Sequence, residues 1–509
     1  MSEVLVTESE TTLAAEQKEK LVKTLGLFDT IFFIVATIVT LDLIGQAASS
    51  GFEAFTWTIV LTVLFMLPYG LVMAEIGSGF PLEGGPYEWV KLSFGRFWSS
   101  INTMFYWVTN PLWIGGSLAF IGTEAFSTGI TTISDGSFWD YAFKFIFIWV
   151  SISTAIVSLK IGKWIPTLGA LCKVGLVAFF AITVIIYGIK NGFQTVHLGD
   201  FKPTSTGLLA IAPLLLFSFV GFESANGAAE EMKDPQKDVP RGVFWSGLLS
   251  AFCYITPILL VLLVLPLDAI TGLGGFLDAV KESYTIYGGA ADFMFGVTSL
   301  LFIFTLINSG SAWMISGDRT IAIASADGAF FPYFGEFSEK LGTPLRANIL
   351  SGVTATAFMI ASVLLLSSGS ADVFGVVLTI AVSTTLISYL LMFPSAWALR
   401  RKFSGVHRPY RIPGKDDRFL ILCVVLIEAW IILGSWTAVF PGSLDRLLGN
   451  EYSFKDEWGV SWATFEIFTL GTLAVIVLVT LAGYAAGASV REDTVTVPVG
   501  EAEAEGSTP

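Results

Sequence analysis

Apolar runs recur along the chain, separated by short polar stretches. Each is about twenty residues or longer, enough to cross a ~30 Å hydrocarbon core as a helix rising 1.5 Å per residue. The pattern predicts twelve spans, at 27–50, 54–78, 98–125, 138–159, 164–189, 208–231, 240–266, 292–325, 346–366, 371–398, 417–440 and 461–485. The eighth is long enough to contain a break. Runs of this length are helices and not barrel strands. Residues 1–24 and 486–509 are polar and acidic and are expected to be disordered tails on either side of a transmembrane domain at 25–485.

Composition agrees with an integral membrane chain. Hydrophobic residues are 54% of 509 and charged residues 14%, with a mean hydropathy of +0.72, whereas soluble domains carry about 25% charged residues. The first residues lack a short apolar core with a cleavage site, so the first span itself is expected to direct insertion. Lysines and arginines fall mainly to one side, at Lys18, Lys20, Lys91, Arg96, Lys160, Lys163, Lys233, Arg319, Arg346 and the run Arg400 to Arg418. That bias predicts a multi-pass protein of the plasma membrane with both termini in the cytoplasm. The net charge of −14 comes partly from the tails, through Glu3, Glu8, Glu10 and Glu16 at one end and Glu492, Asp493, Glu501, Glu503 and Glu505 at the other. The dense basic run, 400–418, is expected to meet anionic membrane lipid; nothing favours a nucleic-acid partner.

Catalytic and metal chemistry find little support. Cys172, Cys253 and Cys423 lie in apolar spans and read as packing residues. His197 and His407 have no second ligand nearby, so no metal site, cofactor or catalytic set is indicated, and a phosphate-binding Gly-x-x-x-x-Gly-Lys loop does not occur. An enzyme is not expected. What remains is an energy-coupled carrier, with a channel or a transport-inactive sensor as the alternatives. Isolated polar residues that do not line a continuous path favour the carrier.

Gly221 and Glu223 stand inside the sixth apolar run. A carboxylate at bilayer depth costs roughly 2.5–3.5 kcal/mol, and a glycine weakens a helix by about 1 kcal/mol. Both point to a local unwinding, because secondary transporters bind substrate and coupling ion beside such breaks at mid-membrane. The first span should hold the paired break, and it carries Asp42 in its outer half. Lys173, in the fifth span, reaches roughly 14 Å in from the nearer end and is a second intramembrane charge.

The sixth-span segment FSFVGFESANGAAEEMKDPQKDVPRG, with Gly221, Phe222, Glu223, Ser224, Lys233, Pro235 and Pro240, resembles a signature of the amino acid/polyamine/organocation permeases. Pro81, Gly84, Gly85, Tyr87 and Trp89 are similar to a second signature of that family, and Asp327, Gly328, Pro332, Gly342, Thr343 and Pro344 to a third. The resemblance runs from about residue 25 to 440. It implies an all-α membrane fold of two inverted five-helix repeats plus two extra helices, with the first and sixth discontinuous. The implied function is secondary active transport of small molecules, amino acids or related amines, by alternating access with proton coupling; polyamine or amine import and amino acid exchange are the alternatives. Carried over by position, Phe217 and Phe222 would close over substrate, Tyr106 and Trp313 would face it, and Glu223 and Lys173 would handle protons. The family's helix 1 glycines fall at Thr37, Ile38 and Val39, leaving the Thr37 and Thr40 hydroxyls as donors and Asp42 as an acid beside the pocket.

Overall fold

The computed structural model describes residues 5–157, 164–366 and 370–501. Lys160, Lys163, Glu3, Glu503 and Glu505 lie outside the described residues. Among those described, 9 helices are long and apolar enough to cross a membrane, or 10 when Leu27–Ile38 and Leu43–Ser49, bent by 47° at a short break, count as one. The two other expected spans fall outside that number, one because it is more polar and the other because it is short and interrupted. Residues 96–129 are helical throughout, with a π turn at Ile114–Leu118, and bury Asn102, Thr103, Thr109 and Asn110. Ser205–Ser218 is 14 residues long, and the chain resumes as a 3-10 segment, Ser224–Glu231.

The eighth run differs from expectation: Ala291–Ala326 is one unbroken helix. Its two charged residues in the buried half, Asp318 and Arg319, are met by neighbouring side chains, so no backbone has to unwind for them. Asp318 accepts from Trp107 Nε1 at 2.9 Å, Asn348 Nδ2 at 2.5 Å and Ser351 Oγ at 2.5 Å, and Arg319 pairs with Glu231 at 2.8 Å. This helix is the central post of the fold. It touches Arg96–Trp113, Phe138–Val157, Trp164–Asn191 and the Ser224–Glu231 segment, and every residue from Asn308 to Ala326 is buried.

Within the tails, the described residues differ from the disorder expected of them. Leu5–Thr11 and Thr494–Glu501 pair as an antiparallel ribbon, because the Thr-Val alternation of TVTV has the two-residue period of a strand despite its acidic surroundings. Thr11 fastens the ribbon to the end of the central helix: its N–H donates to Asp327 at 3.1 Å and its hydroxyl to the Ala326 carbonyl at 2.8 Å. The following helix, Thr12–Lys18, is held by Lys18, which pairs with Glu10 at 2.6 Å and Glu88 at 3.1 Å.

Two of the sequence signatures meet at this end. Tyr87 donates to Asp327 Oδ2 at 2.6 Å, while Arg96 and Lys91 lie 2.9 and 3.2 Å from the same carboxylate. Burial pushes the Asp327 carboxyl up, but the Lys91 and Arg96 charges outweigh it and hold the group well below the usual carboxylate range.

Candidate substrate and coupling site

The helix Leu27–Ile38 ends where Val39 turns extended, and Asp42 opens the next segment. The sixth run breaks after Ser218, and Gly221 takes φ +129°. A Cβ on Gly221 would sit 3.0 Å from Ile38 Cγ1 and 3.2 Å from Thr37 Oγ1, so the glycine supplies both the backbone conformation and the space that let the two breaks touch. Across that contact the Thr37 and Ser224 hydroxyls lie 2.8 Å apart.

Both breaks are capped by tyrosines. The Tyr69 hydroxyl accepts from the N–H groups of Gly221 at 2.9 Å and Phe222 at 3.1 Å. The Tyr254 hydroxyl accepts from the Thr40 N–H at 3.0 Å, donates to the Ile38 carbonyl at 2.7 Å and lies 2.8 Å from Thr40 Oγ1. Freed backbone groups in a water-poor interior need such partners.

Asp42 is buried beside the first break. Trp113 Nε1 donates to its Oδ2 at 3.1 Å, whereas Oδ1 has no well-formed hydrogen bond among the described residues, the Thr40 hydroxyl and the Asp42 N–H being its nearest weak donors. The Phe217 ring meets Trp113 edge-on with centroids 6.0 Å apart. Lys173 is fully buried and does not reach for the membrane surface; its ammonium donates to the Ala36 carbonyl at 2.5 Å and Ser309 Oγ at 2.7 Å. The carboxylate whose charge it feels is Asp42.

Glu223 accepts from Tyr389 at 2.7 Å and, through a short hydrogen bond, from Tyr69. Tyr106 interacts with it electrostatically and lies 3.1 Å from Ser316 Oγ. Trp313 ties the central helix to the first break by donating from Nε1 to the Thr37 carbonyl at 2.9 Å, and its ring centroid is 6.1 Å from that of Tyr106. The structure thus brings Thr37, Val39, Thr40, Asp42, Tyr106, Phe217, Gly221, Glu223 and Trp313 around the two breaks. Phe222 is the exception. Its ring turns away, against Tyr69 at 5.0 Å and into the space left by Gly70 and Gly247.

Sequence reasoning missed Tyr69, Trp113, Tyr254 and Tyr389. The available signal was chemical: a tyrosine in an apolar span must find a partner for its hydroxyl. It also counted too few intramembrane charges. Asp140 pairs with Lys144, and Glu75 with Arg400. Glu428 lies midway along Arg418–Val439, its Oε1 without a hydrogen-bond partner among the described residues.

Two interrupted helices meeting beside buried charges, in a bundle of apolar spans, define a multi-pass membrane protein of the transporter class. The chain belongs to the amino acid permease family, which it matches over residues 25–443. It is 26% identical over 431 residues to the probable agmatine/putrescine antiporter AguD of Lactococcus lactis, covering 81% of this chain and 88% of that protein. The branched-chain amino acid permease BcaP of Bacillus subtilis is 23% identical over 442 residues, 82% and 90% of the two chains, and the serine/threonine exchanger SteT of the same species 24% over 401, 77% and 86%. In fold the chain is similar to a crystal structure of a manganese transporter mutant from Eremococcus coleocola, with a TM-score of 0.55 at 12% identity over 91% of this chain and 94% of the other.

Proposed function

We propose that the chain is a secondary active transporter of amino acids or related amines, built of twelve spans in two inverted repeats, working by alternating access with both termini in the cytoplasm. The observation that carries the substrate reading is Asp42. A buried carboxylate oxygen without a well-formed hydrogen bond is costly unless a ligand supplies one, and a substrate ammonium would do so. Trp113 turns its indole N–H to the same carboxylate, and Phe217 packs edge-on against Trp113, so aromatic side chains border this position. The N–H groups of Gly221 and Phe222, in contrast, are taken by Tyr69, and the Thr37 hydroxyl is spent on the Ile34 carbonyl at 2.8 Å, so a substrate carboxylate finds few free donors here. The amine end is therefore the one the site recognises best, in keeping with a relative named for agmatine and putrescine.

Glu223 is the proton-handling group in this reading. The Tyr69 and Tyr389 hydroxyls can donate to its carboxylate, and Tyr69 also holds the helix 6 break, so protonation of Glu223 would release a constraint on the element that must move. Lys173, which joins the first break to the central helix, is the second proton-handling group in this reading. The test is uptake into proteoliposomes of radiolabelled agmatine, putrescine, leucine and serine, with and without an imposed pH gradient. Accumulation that follows the gradient, or exchange against a preloaded amine, supports the proposal. Currents far above carrier turnover would indicate a channel, and binding without flux a sensor.

A further inference from the structure

A lipid-facing groove runs between Phe52–Gly79 and Pro235–Val264, with a cavity of about 450 Å³. One wall runs from Thr62 to Ala74, starting in the π turn Thr62–Met66; the other runs back from Pro240 to Ala251. The walls rise about 18 and 16 Å at 1.5 Å per residue, roughly half of a ~30 Å hydrocarbon core and so the depth of one leaflet. Phe222 forms the floor, where Cβ atoms on Gly70 and Gly247 would stand 3.5 and 3.4 Å from its ring.

Polar chemistry gathers at one end. Arg241 and Tyr410 line the mouth, at the end of the walls marked by Pro240 and Ala74. Arg241 is exposed there and feels Asp234 and Asp238 at the start of its helix, of which Asp234 is paired with Lys237 at 2.9 Å. Beyond the mouth the walls are Leu67, Phe244 and Leu248, 57%, 61% and 53% exposed. A cation and a hydroxyl at the rim of an apolar slot one leaflet deep match a phosphate headgroup with a single hydrocarbon tail.

We propose that this groove binds one acyl chain of an anionic phospholipid, with the headgroup phosphate at Arg241 and Tyr410 and the tail lying on Phe222. Placing it in the inner leaflet rests on the reading of both termini as cytoplasmic. Because Phe222 adjoins the Gly221–Glu223 break, an occupied groove fills the space into which the break would otherwise relax, so lipid occupancy is coupled to the movement of helix 6.

The test uses the full chain in nanodiscs containing phosphatidylglycerol with a diazirine near the middle of one acyl chain, and maps the crosslinks by peptide mass spectrometry. Labelling should concentrate on the Met66–Leu71 and Phe244–Ala251 segments. It should fall about fivefold in Arg241→Gln, the factor equivalent to ~1 kcal/mol for one basic residue at an anionic surface, and be lost in Ala251→Trp, which fills the deep end. Equal labelling at other lipid-facing positions such as Phe293, Leu364 and Leu478 would mean annular lipid only and overturn the proposal. Equal groove labelling by the phosphatidylcholine analogue would overturn the headgroup assignment. The readout needs no flux, so a chain that labels as expected yet transports nothing would refute the transport reading and leave the lipid site standing.

Discussion

The Lys173 ammonium donates to the Ala36 carbonyl at 2.5 Å and so joins the fifth expected span to the last turn before the first helix break. Its second bond, to Ser309, reaches the central helix. A motion of the broken helix against that post has to lengthen one of the two bonds. Lys173→Met should lower transport by at least about tenfold, since ~1.4 kcal/mol of state-dependent contact is tenfold in rate. Proteoliposome uptake checks this beside a thermal melt, which separates lost transport from lost fold.

Tyr69 serves three groups with one hydroxyl: two N–H donors and the Glu223 carboxylate. Tyr69→Phe leaves all three without that partner inside the bundle. At about 1–3 kcal/mol for each unsatisfied buried group, the loss should be at least ~2 kcal/mol. A fall of several degrees in Tm, measured in detergent at fixed lipid content, is expected; an unchanged Tm would contradict the capping role.

Gly221→Ala should impair both stability and transport, because its φ of +129° is disfavoured for any side chain and the new Cβ would press on Ile38 and Thr37. Gly175→Ala is the control. That glycine sits in the helix Trp164–Asn191 with nothing within 4 Å of an added Cβ, so alanine should stabilise by about 0.5–1 kcal/mol. The two melts, run side by side, should move in opposite directions.

Much of this was legible in the chain. Gly221 and Glu223 mark the sixth break because each is expensive in an apolar helix, and Lys173 is visible for the same reason. Phe217 and Phe222 were not separable, since about 100° per residue puts them ~140° apart on a continuous helix, and only the break decides that Phe217 meets Trp113 while Phe222 turns toward Gly70 and Gly247. The tyrosine caps were hidden because an aromatic at 69 or 254 reads equally well as interhelical packing. The terminal ribbon was hidden by acidic composition, which outweighed the Thr-Val alternation at 494–497.

The Asp327 cluster gives an acid-sensitive contribution to stability. The folded carboxyl lies below its unfolded value of about 3.9, so the contribution is full above that pH and is lost as the pH falls through the folded value. Melts from pH 6 downward should show Tm dropping below about pH 4, and Asp327→Asn should remove part of the drop. The same variant should loosen the Leu5–Thr11 strand, which hangs on Asp327 through the Thr11 N–H, and hydrogen exchange at residues 9–14 would register that.

The claim that the substrate amine is received at Asp42, beside the first break, is tested most directly by equilibrium binding of radiolabelled putrescine and agmatine to the purified wild type and Asp42→Asn. Wild type should bind and the variant should lose affinity by at least about tenfold, the ~1.4 kcal/mol at the low end of a charge-assisted contact, while melting as a folded protein. Wild-type affinity in Asp42→Asn would contradict the account.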